Sequence, residues 1–240
     1  MADTAGSGRS DAPDEATSGE VRSDDGPVNT VLLDVDGTLL DSNHLHALAW
    51  QRAFAGHDLY PEWWRIHRAI GMGGDQLVGE VCGSDVEDSL GDQLRDEWAQ
   101  RYRELVGEAY VLPKAPELIR MLTGAGYRVA LASSSAKEFT DTALEILGIS
   151  RSDVDVVTSA DDADTSKPAP DLLGVALERA GGGPAILVGD SVWDVASASA
   201  LGIPCLSVRT GGSAAAELLD AGAVRVVDDV AALVTEGWRP

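Results

Sequence analysis

Four aspartates, one lysine and a run of serines are the residues of this chain whose types and spacing can do chemistry. Asp34 and Asp36 stand two apart in Asp34-Val35-Asp36-Gly37-Thr38, directly after the apolar run Val31-Leu32-Leu33. Asp190 and Asp194 follow Ala185-Ile186-Leu187-Val188-Gly189, Ser133 to Ser135 follow Leu131-Ala132, and Lys167 precedes Pro168. Singly, each has an ordinary reading: an aspartate or serine after a strand caps the next helix or turn, and a lysine lies on the surface. Gathered in one place they mean something else. Four crowded carboxylates repel each other unless a cation sits among them. Hard oxygen ligands beside one lysine suit Mg²⁺, which keeps waters and accepts a substrate phosphate oxygen as a further ligand. Lys167 and the hydroxyls of Ser133 and Ser134 are then the natural donors to that phosphate.

The elements that carry these residues make such a gathering expected. "NTVLLDV" has the form of a strand buried on both faces. From about Val111 onward, apolar strand-like runs alternate with helical ones, beginning with "APELIRMLTGAG" and "YRVALAS" and ending with "SAAAELLDAG" and "VRVV". That alternation with short loops predicts an α/β fold, a doubly wound, Rossmann-like parallel sheet. In such sheets ligands bind at the carboxyl ends of the strands, where all the residues named above fall. Between the first strand and the rest, about Asn43 to Tyr110, the apolar spacing is three to four residues and reads as four helices with no strand among them. The expected organisation is therefore a tail over 1–27, a core from 28–42 and 112–240, and an inserted α-helical cap over 43–111.

Composition narrows the function classes. Forty acidic residues against 18 basic ones give a net charge of −22, which argues against nucleic acid and anionic membranes as partners. No stretch approaches the roughly 18 apolar residues of a membrane span. Residues 1 to about 27 have no apolar signal core and are too polar to offset the cost of ordering, so an acidic disordered tail and a cytoplasmic location are expected. Two cysteines, Cys82 and Cys205, make no disulfide framework or zinc site.

"DVDGT", "LASSS", "SKPAPD" and "GDSVWD", in this order, resemble the four motifs of the haloacid dehalogenase-like superfamily of hydrolases, over residues 31 to about 230. The helical insertion resembles that family's C1 cap, and the chain is most similar to the branch with phosphoglycolate phosphatases and β-phosphoglucomutases. The resemblance implies that Asp34 is a nucleophile forming an aspartyl-phosphate, with Asp36 as general acid and then base. It also implies Mg²⁺ on the Asp34 carboxylate, the Asp36 carbonyl and Asp190, with Asp194 as an outer or alternate ligand. Ser133, Ser134 and Lys167 would hold the phosphoryl oxygens. Asp36 favours phosphoryl transfer, since dehalogenase members lack a carboxylate there.

The cap is expected to choose the leaving group, with His46 and Arg68 as candidates beside His44 and Arg65. A polar helix-face role stays open for His46, and a solvated one for Arg68 and Arg65. Mutases of the branch carry an arginine shortly after the cap glycine, whereas here no basic residue follows Gly71 until Arg95. The expected activity is a phosphatase acting on a small phosphomonoester, a sugar phosphate or a phosphoglycolate-like compound, with a sugar-phosphate mutase as runner-up. A non-catalytic phosphate-binding or phospho-acceptor protein is the alternative from another class. The oligomeric state is not readable from the sequence.

Overall fold

The computed structural model describes residues 27–240, so the predicted tail over 1–27 falls almost wholly outside the described residues. The strand expected at "NTVLLDV" is β1 (Thr30–Leu33), and all four of its residues are buried. β1 pairs in parallel with β4 (Arg128–Ala132) on one side and with β6 (Ala185–Gly189) on the other. Adding β5 (Val156–Thr158), β7 (Cys205–Val208) and β8 (Arg225–Val227) gives a six-stranded parallel sheet in the order β5-β4-β1-β6-β7-β8.

The period of two along the strands divides the core into two layers. Val31 and Leu33 point into one apolar cluster with Leu131 and Val188, covered by α5 (Ala115–Gly124), α6 (Lys137–Leu147) and α10 (Val230–Glu236). Leu32 points into the other with Ala130 and Leu187, covered by α7 (Asp171–Arg179), α8 (Val192–Ala200) and α9 (Ala215–Asp220). Helices on both faces explain why these strands are apolar throughout rather than alternating. The chain runs one way from β1 through β4 to β5 and the other way through β6, β7 and β8. The crevice where the direction switches lies at the carboxyl end of β1.

The insertion forms four helices: α1 (Asn43–Gly56), α2 (Trp63–Ala69), α3 (Gly74–Cys82) and α4 (Ser84–Leu105). They pack around their own apolar cluster, centred on Trp50, Phe54, Ile66, Leu77 and Leu94. A second seam, with Leu45, Tyr102 and Leu105 against Phe139, joins them to the sheet domain. At its two ends the insertion is bounded by a short antiparallel ribbon of β2 (Leu40–Asp41) and β3 (Tyr110–Val111). Neither two-residue strand is foreshadowed by an apolar pattern, and Asp41 belongs to this ribbon, opposite Tyr110. The sequence reading also omits α10, whose two turns are too short for a period to register and whose start is set by the Asp229 side chain accepting from the Ala232 N–H at 2.9 Å.

Candidate active site

The first site residues are placed by a backbone that stays on the sheet for one more residue and then folds back. The Asp34 N–H donates to the Val188 carbonyl at 2.9 Å, so Asp34 is still registered against β6. Gly37, at φ 81°, then reverses the chain, with its N–H bonded to the Leu40 carbonyl at 2.7 Å. A side chain there would be strained, and its Cβ would stand 2.4 Å from both Asn43 Nδ2 and Asp190 Oδ2. The tight reversal keeps Asp36 beside Asp34 and lets Asp190 approach from β6.

Asp34, Asp190 and Asp194 are all buried and each offers a carboxylate oxygen within 4.8 Å of the others. Lys167, fully buried, donates to Asp34 and, at 2.8 Å, to Asp194. Asp190 accepts from Thr38 Oγ1 at 3.2 Å and Asn43 Nδ2 at 2.9 Å, and Asp194 accepts from the Ser191 N–H at 3.1 Å in a capping box. Burial pushes the Asp34 carboxyl up to about 7, and Asp194 and Asp36 add to the rise against the opposing Lys167. Asp190 is driven well above the usual range by burial, then by Asp34 and Asp194. Burial opposes the charge on Lys167, but Asp194 and Asp34 outweigh it and raise its pKa. With all three carboxylates ionised, one ammonium leaves a net of two negative charges in a buried site. That donor set fits a divalent cation with hard oxygen ligands.

Asp36 is held differently. Its carboxylate accepts from Ser42 Oγ at 2.6 Å, His46 Nε2 at 2.9 Å and Ser135 Oγ at 3.2 Å. Burial would raise its pKa, but His46, Ser42 and Ser135 together favour the charged form and hold it at about 2. His46 is itself buried, with its ring stacked on Tyr102 at 3.9 Å between centroids. The structure thus makes His46 a partner of Asp36 at the site. In the serine run, the Ser133 hydroxyl is used locally, accepting from the Ser135 N–H at 3.1 Å. The Ser134 hydroxyl is buried without a partner on the wall of the cavity above Asp34, where a ligand oxygen would satisfy it.

That cavity has a volume of about 310 Å³ and lies between the strand ends and the helical insertion. Asp34, Asp36 and Ser134 form its sheet side, and Trp50, Met72 and Trp98 line it from the helices. Trp50 and Trp98 belong to an aromatic stack, 5.3 Å between centroids, that runs on through Tyr102 to His46. The insertion is closed onto the sheet domain by specific bonds. Ser166, next to Lys167, receives the Gly73 N–H on its hydroxyl at 2.9 Å. Its own N–H (3.1 Å) and O–H both go to the Asp75 carboxylate. A Cβ on Gly73 would lie 2.2 Å from Ser166 Oγ, so only glycine allows this approach.

Arg68 is placed away from the cavity, in an exposed ion pair with Glu217 of α9, while its carbonyl accepts from Trp193 Nε1 at 2.9 Å. His44 and Arg65 are likewise on outer faces, near Asp41 and Glu62. Thr38, Asn43, Ser42 and the Asp75–Ser166 pair are site residues that the sequence reading did not single out. Apart from Ser42, whose partner Asp36 is nearby in sequence, they join partners more than 90 positions apart, which no local spacing reveals.

Fold and site together define a Rossmann-like α/β core under an inserted helical unit, with an acidic cluster at its switch point. The chain belongs to the haloacid dehalogenase-like hydrolases, whose family model matches residues 28–202. Protein CbbY of Rhodobacter capsulatus is 31% identical to it over 189 residues, covering 73% of this chain and 83% of the relative. Phosphoglycolate phosphatase of Pseudomonas putida is 28% identical over 218 residues, covering 85% and 78%. Among solved structures, a hydrolase from Pseudomonas syringae superposes with a TM-score of 0.82 at 28% identity, covering 87% of this chain and 97% of that one. Among the described residues no helix is long and apolar enough to cross a membrane.

Proposed function

We propose that this protein is a Mg²⁺-dependent phosphatase that hydrolyses a small phosphomonoester through an aspartyl-phosphate on Asp34. The observation that carries the reading is the pair of carboxylates on the cavity wall, Asp34 against Lys167 and Asp36 against His46. Asp34, Asp190 and Asp194, with the Asp36 carbonyl, are the residues that would hold Mg²⁺. The ion supplies neutralisation of charge on the phosphoryl oxygens.

The rest of the chemistry belongs to the side chains. An Asp34 oxygen attacks phosphorus, and the bond from phosphorus to the leaving oxygen breaks as Asp36 delivers a proton to that oxygen. Water then attacks phosphorus and gives its proton to Asp36, the bond to Asp34 breaks, and phosphate leaves. Dividing the reaction this way replaces one hard displacement by two easier ones. The donors around Asp36 keep it ionised, the state in which it can take a proton in the second step. For the first step, an arriving phosphate places negative charge beside it, which pushes the pKa back up. Lys167 and Ser134 hold phosphoryl oxygens, and the burial of the Lys167 side chain and the Ser134 hydroxyl strengthens these contacts.

The test is phosphate release from an aryl phosphate and a panel of phosphomonoesters, with Mg²⁺ and with a chelator. Wild type should release phosphate only with the cation, and Asp34→Asn should lose at least about 10⁴-fold. Equal rates for Asp34→Asn and wild type would remove Asp34 from the mechanism. Interconversion of sugar phosphates without phosphate release would instead make the protein a mutase.

A further inference from the structure

The cavity walls carry a distribution of charge that bears on the leaving group. Beyond the catalytic carboxylates, the acidic side chains lining it are Asp75 of α3, Asp96 of α4 and Asp164 of the loop before Ser166. The arginine or lysine side chain on the lining is Arg95. Arg95 is already committed: Nη1 donates to Glu87 Oε1 at 2.7 Å and to the Gly74 carbonyl at 3.1 Å, and Nη2 donates to Asp92 at 2.8 Å. The other Glu87 oxygen is buried and has no partner. Turning Arg95 toward a ligand would therefore strand a carboxylate that is poorly satisfied already, and losing one member of such a pair is costly. The cap segment nearest the reacting centre, Gly71-Met72-Gly73-Gly74, offers no cation, and Gly73 has no room for a longer side chain against Ser166.

We propose that this cavity selects phosphomonoesters whose leaving group has no second anionic group. Uncharged alcohols, sugars among them, and amine-bearing alcohols fit; leaving groups with a carboxylate or another phosphate are disfavoured. The proposal rests on the phosphatase reading and narrows it. A second negative charge would enter a cleft whose free charges have its own sign, and a low-dielectric cleft focuses that repulsion. A carboxylate bound there would exchange its water for neutral donors alone, such as the unpartnered Trp98 Nε1–H, with no free cation among the described residues of the lining to balance its charge. Trp50 and Trp98, whose faces are taken up in the aromatic stack, present an apolar wall that an uncharged leaving group can meet without a counter-charge.

The experiment compares a matched pair, 2-phosphoglycolate and its uncharged amide, as substrates and as competitors of aryl phosphate hydrolysis in Mg²⁺. Measuring both as competitors yields a ratio even where neither is turned over. The amide should be preferred by at least about tenfold at low ionic strength, as like-charge juxtaposition dictates. That preference should shrink with added salt and shrink again in the Asp96→Asn/Asp164→Asn double variant, both of whose positions are exposed. Equal affinity for the two compounds, or a preference for the carboxylate that Arg95→Gln removes, would overturn the proposal. The phosphatase reading is judged separately in the same series, since it fails only if aryl phosphate is not hydrolysed or Asp34→Asn hydrolyses it as well as wild type.

Discussion

Asp34 and Asp36 are two residues apart, yet different parts of the molecule hold them. Asp34 is gripped by the sheet domain alone, through Lys167 and the neighbouring Asp190 and Asp194. Asp36 takes two of its three side-chain hydrogen bonds from the start of the insertion, from Ser42 just before α1 and His46 within it. The consequence is a separation of character: burial lifts Asp34 to about 7, while donated hydrogen bonds hold Asp36 at about 2. Neighbouring carboxylates driven apart in pKa can take different roles. In the proposed mechanism the sheet domain thus builds the attacking group, and the first helix of the insertion tunes the proton-transfer group.

The largest expected effect breaks the Asp36 half of this division. Asp36→Asn should lower turnover by about 10²–10⁴-fold, the usual worth of a positioned acid–base group. Because an aryl leaving group needs little protonation, attack by Asp34 should survive better than the hydrolysis that follows. Intact mass measured during turnover should then show the variant carrying a phosphoryl adduct that wild type does not accumulate. A variant with unchanged turnover and no adduct would show that Asp36 is not the proton shuttle.

The next test addresses the Asp34 half, through stability. Carboxyls whose folded-state pKa is raised, as for Asp34 at about 7 and Asp190 in the same direction, make the folded protein bind more protons than the unfolded chain. Their contribution is fully present below about pH 4, and stability falls as pH rises toward 7. Asp36 has the opposite sign, with its contribution present above about pH 4 and lost as pH falls toward 2. A cation that neutralises the ionised cluster should therefore raise the melting temperature by about 5 °C or more at pH 8 when near-saturating, and by less at pH 5. The same shift at both pH values would mean that Mg²⁺ binds elsewhere.

A smaller effect sharpens the boundary between the two regions. Lys167, which serves Asp34, follows Ser166, and Ser166 is bonded to Gly73 and Asp75 of the cap. Ser166→Ala removes two of those three bonds without touching Lys167. Turnover should drop by about tenfold through misplacement of the lysine. Asp75→Asn, which keeps one acceptor for the Ser166 N–H, should lose less. If both variants keep wild-type kcat, the cap does not help to seat Lys167.

How much of this was legible in the sequence follows the same division. The six strands of the sheet and the residues at their ends could be read because a parallel sheet needs apolar strands and delivers their carboxyl ends to one edge. Asp34, Lys167, Asp190 and Asp194 are found together for that reason. The cap helices were also legible from their apolar spacing, but not which face of each meets the sheet domain. His46, a candidate either to face substrate or to sit as a polar residue on the first helix, lines the cavity and bonds to Asp36. Asn43 stands at the start of α1 with nothing in its neighbourhood to mark it, because its partner Asp190 is 147 positions away. The Asp92 partner of Arg95 is an i,i+3 neighbour on α4 and lies within local spacing, whereas the bond from Arg95 to the Gly74 carbonyl depends on how α4 lies along α3.

Arg68 provides the smallest expected effect and the control for the others. The sequence left it open between meeting an anionic group of the substrate and lying on a solvated helix face. In the structure it is more than half exposed and pairs with Glu217 at the outer edge of the contact between cap and sheet domain. An exposed pair gains little, because water screens the attraction and two long side chains lose freedom in forming it. Arg68→Ala should therefore change stability by no more than about 0.5 kcal/mol and leave kcat/KM for an aryl phosphate within about twofold of wild type. It should also leave the preference between phosphoglycolate and its amide unchanged, since the side chain does not line the cavity. A selective loss of the carboxylate compound in Arg68→Ala would mean that the cap turns on the sheet domain and brings this arginine inward when substrate binds. The charge of the leaving group would then be read by Arg68 rather than by the acidic lining of the cavity.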